Sequence, residues 1–220
     1  MTSGQWQGPV ADADADILVL ASRESFSGRV WNVRSDTFMF AGDTVTRNYV
    51  AHPGGVGVIA LDDDDQVLLI RQYRHPVGRY LFEPPAGLLD VDDESALVAV
   101  QRELLEEAGY VADQWWVLVD FLNSPGGSSE AFRTFLARGL KQVAREYEGT
   151  AEEREMPIAW VRLDQARDLV LSGELQNPTA VSGVLAAWVS RSLGWSNLRP
   201  ADAPWPIHDR VVKTGHSRTT

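Results

Sequence analysis

The sequence predicts an α/β fold, a mixed sheet with helices, preceded by a small antiparallel strand unit. Three observations carry this. Short apolar runs with strand composition recur from residue 17 to residue 163. Helical periodicity interrupts them once at Glu94–Gly109 and returns after residue 163, which is the interleaving that gives an α/β class. Three strand-like runs also lie together before any helical stretch, as a separate unit.

The elements follow in order. Residues 1–15 are small, acidic and aperiodic and read as disordered. Residues 16–52 hold the runs ILVLASRES, RVWNVRSDTFMF and TVTRNYVAH, with Ala41-Gly42-Asp43 as a hairpin turn. Three strands with one apolar face need something to pack on. The main domain, residues 53–196, opens with VGVIAL, a turn at Asp62–Asp65, and QVLLIRQYR. The four aspartates lack the glycine and terminal glutamate of a calcium loop and read as a hairpin turn. After the periodic acidic stretch come WWVLVDF and AFRTFLARGL, then an acidic segment at 145–155. PIAWVRL reads as a strand, and LDQARDLVLSGEL and PTAVSGVLAAWVSRSLG as helices. The proline-punctuated tail, residues 197–220, reads as extended.

Composition narrows the class. At 220 residues the chain can bury one sizeable core, or a core plus a small appended unit. A formal charge of −11 argues against nucleic-acid or anionic-membrane binding through bulk charge. The absence of cysteine excludes disulfides, zinc-thiolate sites and thiol nucleophiles. No apolar run is long enough to span a bilayer, and the first residues lack the basic and apolar regions of a secretory signal. The expectation is a cytoplasmic enzyme.

The richest stretch is Gly87–Tyr110, GLLDVDDESALVAVQRELLEEAGY. Asp92 or Asp93 suits a helix N-cap, and Gly109 suits the left-handed residue that ends a helix. Leu97, Val100, Leu104 and Ala108 form one buried stripe. Glu103, Glu106 and Glu107 fall together on a neighbouring face, at i, i+3 and i+4. Like charges at these spacings repel, and Arg102 is the one cation between Glu94 and Gly109. Hard divalent cations take carboxylate oxygens, so such a face suits a metal.

The ordered pattern Gly, Glu, Arg-Glu, apolar, Glu-Glu, Gly, apolar resembles the signature of the Nudix hydrolases, G-x5-E-x7-R-E-U-x-E-E-x-G-U. It matches completely from Glu94 onward, and six residues rather than five separate Gly87 from Glu94. The resemblance implies an α/β/α sandwich with a mixed sheet and metal-assisted hydrolysis of a diphosphate. It implies Glu103 and Glu107 as metal ligands, Glu106 as a further ligand or catalytic group, and the backbone carbonyl of Ala86 as an additional ligand. Gly87, Glu94, Arg102 and Gly109 are then structural. Magnesium is the expected ion, with manganese as a substitute that shares its oxygen ligands.

Pro125, sixteen residues after Gly109, together with Arg71-Gln72-Tyr73-Arg74 and Glu83-Pro84-Pro85-Ala86-Gly87, resembles the ADP-ribose pyrophosphatase branch. That branch implies hydrolysis of ADP-ribose to AMP and ribose 5-phosphate by a homodimer with exchanged N-terminal strands. It implies a general base on a late loop, for which Glu153 is the first choice, with Glu155 and Glu152 behind it. Substrate contacts are expected from Arg74 first and Arg47 second. Arg79 and Arg71 are weaker candidates, and Glu83 and Pro125 flank the substrate. Trp31 or Phe38 is a candidate to stack on adenine. The alternatives are a pyrophosphatase for another nucleoside diphosphate sugar, or a non-catalytic ADP-ribose-binding sensor. The intact carboxylate face and the lack of a basic winged-helix segment disfavour the sensor.

Overall fold

A computed structural model describes residues 5–144 and 156–216, with side chains described through Val211. The chain divides into two compact units, residues 1–49 and 50–220. The division falls three residues before the boundary read from the sequence.

The first unit is a three-stranded sheet built from β1 (Val19–Ser27), β2 (Asn32–Phe40) and the start of β3 (Asp43–Ala51), in the order β1-β2-β3. Ala41 and Gly42, at φ 51° and 92°, form the turn between β2 and β3. Two successive left-handed residues match the twist of the flanking strands. What β2 buries is polar, namely Arg34, Ser35 and Asp36. Arg34 donates to the Ser22 hydroxyl at 3.0 Å, and Tyr49 donates to Asp36 at 3.2 Å. Leu20, Phe26 and Phe40 stay at least half exposed, and none of the described buried hydrophobic residues belongs to this unit.

The second unit is the sandwich. Its strands are β4 (Gly55–Ala60), β5 (Gln66–Arg74), β6 (Arg79–Glu83), β7 (Ala86–Leu88), β8 (Tyr110–Leu122), β9 (Ala131–Gln142), β10 (Ile158–Arg162) and β11 (Arg199–Pro200). Its helices are α1 (Ala96–Ala108), α2 (Leu163–Leu171), α3 (Pro178–Ser192) and α4 (Pro206–His216). One sheet has the order β11-β8-β9-β4-β7 and is mixed, with β4 parallel to β9. A second, antiparallel sheet has the order β10-β5-β6. The consecutive strands β4 and β5 therefore lie in different sheets. Asp62 shapes the turn between them, accepting from the amides of Asp64 and Gln66 at 3.0 and 2.7 Å. That is ordinary aspartate turn chemistry.

All six residues of β4 are buried, and their alternation sets the two cores. Val56, Val58 and Ala60 face Val100, Leu104, Phe135 and Trp205, with α1 and α4 covering that side. Ile59 faces Leu136, Leu163, Val170, Val184 and Ala187, with α2 and α3 covering the other. Among the described residues, no helix is long and apolar enough to cross a membrane.

Two sequence expectations are corrected. The cap of α1 is Ser95, whose hydroxyl accepts the Val98 amide at 3.3 Å, and not Asp92 or Asp93. Asp93 takes a left-handed φ of 62° in the loop that precedes the helix. Aspartate tolerates that region, so the acidic run turns the chain and leaves the capping to serine. The stripe shifts accordingly, with Ala99 fully buried and Leu97 only partly.

The tail from residue 197 is not extended throughout. It adds β11 to the edge of β8 and then forms α4. Prolines punctuate this tail, but Pro206 stands at the first helical position, where a missing N–H costs nothing. The anchor is Arg133, only 3% exposed. It donates to Asp120 at 2.8 and 3.0 Å, to the Ala203 carbonyl at 2.7 Å and to the Pro204 carbonyl at 3.1 Å. Its guanidinium lies 4.7 Å from the centre of the buried Trp205 ring, and Arg199 reaches the same Asp120 at 2.9 Å.

Candidate metal centre and active site

The site is built where β7 meets α1. β7 lies antiparallel on β4, pairing Gly57 with Ala86, Val56 with Gly87 and Gly55 with Leu88. The chain then loops back so that α1 packs across this edge. One helical turn apart on α1, Glu103 and Glu107 both settle on the two residues Ala86 and Gly87. Glu107 accepts the Ala86 amide at 2.9 Å. The Glu103 carboxylate occupies the space a side chain at residue 87 would need, because a Cβ there would fall on its Cδ and Oε1. Gly87 is thus required by the close approach of a carboxylate to backbone.

Arg102 organises the rest. It forks Glu94 through two bonds of 3.0 Å, and through its second terminal nitrogen it reaches Glu103 at 2.7 Å and Glu106 at 3.2 Å. Glu94 lies just ahead of the helix, so the fork staples the preceding loop to α1. The Arg102 hydrogen bonds hold the Glu94 carboxyl below its ordinary value of 4.5, against a smaller opposing effect of burial. The same bonds with Glu94 raise the Arg102 guanidinium above its ordinary value. Gly109 ends the helix at φ 71°, its amide bonded to the Leu104 and Leu105 carbonyls.

Three carboxylates therefore bond one guanidinium, and with Glu107 on the Ala86 amide the four acids carry a formal excess of three negative charges over Arg102 beside a backbone shelf. All the donors are hard oxygens, which suit a magnesium-like cation. Among the described residues no three acidic or histidine side chains already converge in metal-holding geometry. Arg102 spans Glu103 and Glu106, and Glu107 leans on the Ala86 amide. The donor set fits the ion; Glu103, Glu107 and the Ala86–Gly87 shelf are what would hold it.

The other candidates fall into three places. Arg74 and Glu83 form a pair across the β5–β6 hairpin, with bonds of 2.9, 3.2 and 2.6 Å. Glu83 is 2% exposed and holds Arg74, whose side chain remains 44% exposed. Arg79 donates to Gln176 and is exposed, and Arg71 stacks 4.0 Å from the Tyr80 ring centre. Pro125 lies exposed in a turn closed by the Gly127 amide on the Ser124 carbonyl at 2.9 Å. Arg47, Trp31 and Phe38 belong to the first unit, where Arg47 donates to the Thr46 carbonyl at 2.9 Å. Glu152, Glu153 and Glu155 lie outside the described residues.

The sequence reading missed a further polar cluster at the start of β4. Asn123 donates to Glu130 at 2.8 Å, and His52 Nε2 stands 3.7 Å from the other oxygen of that carboxylate. His52 Nδ1 accepts the Gly54 amide at 3.0 Å. Burial lowers the His52 pKa to about 4 and raises that of Glu130. The only trace in the sequence is that Asn123 and Glu130 bracket the loop containing Pro125.

Comparison with known proteins bears on the whole assembly. A NUDIX domain model matches residues 51–180. The chain is 40% identical over 194 residues to the ADP-ribose pyrophosphatase of Mycobacterium tuberculosis, covering 88% of this chain and 93% of that protein. It is 34% identical over 157 residues to the ADP-ribose pyrophosphatase of Bacillus subtilis, covering 71% of this chain and 84% of that one. A crystal structure of an ADP compounds hydrolase superposes with a TM-score of 0.69 at 21% identity, over 84% of this chain and 99% of that chain, which establishes a shared fold. The domain match spans more than half of the residues, and the bacterial relative extends the kinship over nearly all of them, so this chain belongs to the NUDIX domain family.

Proposed function

We propose that this protein hydrolyses the diphosphate of ADP-ribose to AMP and ribose 5-phosphate, using magnesium, with manganese as a substitute. The observation that carries this is the seating of Glu103 and Glu107 side by side on Ala86–Gly87. The ADP-ribose pyrophosphatase activity of a relative 40% identical over 88% of the chain supports the choice of substrate.

Glu103 and Glu107 hold the ion, with Glu106 and the Ala86 carbonyl as further ligands. When bound, a hard divalent cation neutralises diphosphate charge and makes a water molecule more acidic. Arg102 keeps the excess of carboxylates together and fixes their rotamers. Arg74, braced from behind by Glu83, presents a planar fork to a phosphate or ribose. Glu153 takes the proton of the attacking water, with Glu155 and Glu152 as the other choices on that segment. The protein acts as a homodimer that exchanges its N-terminal strands. Support for this is that the first unit exposes Leu20, Phe26 and Phe40.

A panel of nucleoside diphosphate derivatives with magnesium, read by product mass, tests the substrate. ADP-ribose should lead it with AMP as product, and a sugar nucleotide turned over faster would displace the reading. Glu153→Gln should lower kcat with little change in KM; a raised KM at constant kcat would make that residue a binding group. Light scattering after size exclusion should show twice the chain mass, and a monomer at micromolar concentration would exclude strand exchange.

A further inference from the structure

α4 contributes one side chain to the edge on which the carboxylates rest. His208 Nε2 lies 3.0 Å from the Pro53 carbonyl, so the ring donates that bond and carries its hydrogen on Nε2. The ring stacks on Trp205, with centres 4.6 Å apart and planes inclined by 17°. Trp205 is buried and lies against the Arg133 guanidinium. The imidazole also presses on Gly54, where a Cβ would come within 2.7 Å of the ring. Gly54 has a φ of 102° and passes the constraint on, because its carbonyl accepts the Leu89 amide at 3.1 Å. Gly55 then pairs with Leu88, Val56 with Gly87, and Gly57 with Ala86. The His52 ring accepts the Gly54 amide at 3.0 Å.

We propose that His208 is a positioning residue for the metal site. Resting on the hydrolase reading above, the inference is that Arg133 and Trp205 fix the imidazole, which clamps Pro53–Gly54. The clamp sets the height of β7 and hence of the Ala86–Gly87 shelf against Glu103 and Glu107. Neither His208 nor Pro53 belongs to the signature stretch, and His208 does not touch the carboxylates. Its effect passes through backbone hydrogen bonds, as with groups that orient metal ligands from outside.

The test uses the full-length His208→Ala and His208→Gln proteins. The glutamine amide can still donate to the Pro53 carbonyl, whereas alanine cannot. Manganese affinity, read by electron paramagnetic resonance, should weaken about tenfold in the alanine variant and stay within about twofold in the glutamine variant, the low end of the range for groups that support ligands. Hydrogen exchange of the peptide containing Leu89 should speed up in the alanine variant only, with peptides of α2 and α3 unchanged. Manganese affinity and exchange equal to the parent in the alanine variant would overturn the clamp. So would a uniform rise in exchange, which is loss of stability alone, or a glutamine variant as impaired as alanine. If the parent fails to cleave ADP-ribose, the hydrolase reading falls, while the exchange pattern still decides whether His208 holds β7.

Discussion

Arg102 and Arg133 each hold carboxylate, three groups in one case and a single one in the other, and the two clusters serve opposite ends. Arg102 is one cation bonded to three acids, its side chain 30% exposed, with Glu106 also partly open at 33%. Arg133 is 3% exposed; it shares the single carboxylate of Asp120 with Arg199 and makes its other bonds to two backbone carbonyls. A buried arginine must have every donor satisfied, because an uncompensated charge in the interior is costly. The Arg102 cluster keeps an excess of negative charge at a boundary with solvent, where a further cation can enter. The sign of the excess charge and its access to solvent separate the two: an excess of carboxylate stands at the surface around Arg102, whereas around Arg133 a surplus cation is satisfied by backbone carbonyls in the interior.

That contrast can be broken by substitution. The largest effect should come from Glu107→Gln. The amide oxygen still accepts the Ala86 N–H, so the fold stays, but the charge is gone. Magnesium-dependent turnover should fall by more than the roughly 100-fold upper range for outer-shell losses. A melting temperature unchanged alongside near-parent turnover would remove Glu107 from the ligand set. Arg133→Met should act on stability instead. It leaves Asp120 paired with Arg199 but unpairs the Ala203 and Pro204 carbonyls, so urea titration should show a loss of about 2 kcal/mol. A loss below about 1 kcal/mol would put Arg133 with surface pairs.

A smaller effect is expected at the shelf itself. Gly87→Ala pushes the Glu103 carboxylate aside, which should weaken manganese binding about tenfold at an overpacking cost of about 1 kcal/mol. Parent-like manganese affinity would mean that Glu103 swings away freely and the shelf is not a constraint. The smallest effect is the acid limb of stability. The carboxyl of Glu94 is depressed by Arg102 in the folded protein, so its contribution is full above the ordinary value of 4.5 and is lost as pH falls through the lower folded value. Glu94→Gln should flatten that part of the stability curve, whereas Arg133→Met should lower the curve with little change in its slope there. An acid limb identical in parent and Glu94→Gln would deny the Glu94–Arg102 bond a role in solution.

How much of this was legible in the chain varies with the range of the interactions. The carboxylate face was readable because i, i+3 and i+4 spacings are local, and so was the turn at Ala41–Gly42. The helix cap was misread by two or three residues because Asp92, Asp93 and Ser95 compete locally, and only the loop path decides among them. The burial of Glu83 was not legible in the sequence. Its partner is Arg74 across the hairpin, nine positions away. The tail was misread for a stronger reason. Its prolines argue for extension, and what folds it is an arginine 70 residues earlier that meets its carbonyls. An arginine within the apolar run AFRTFLA was the one available sign, since a charge inside a central strand needs a partner.

The bond from His208 to Pro53 joins positions 155 apart in the chain. The parallel pairing of β4 with β9 is likewise distant in sequence, matching Gly55 with Phe132. Contacts of this kind form after local helices and hairpins, because closing a long loop costs entropy before the contact can offset it. A partly folded chain therefore has helix α1 and its glutamates early, but not the strand on which they are set. Competence to hold an ion is acquired late in folding, together with the global fold and not ahead of it.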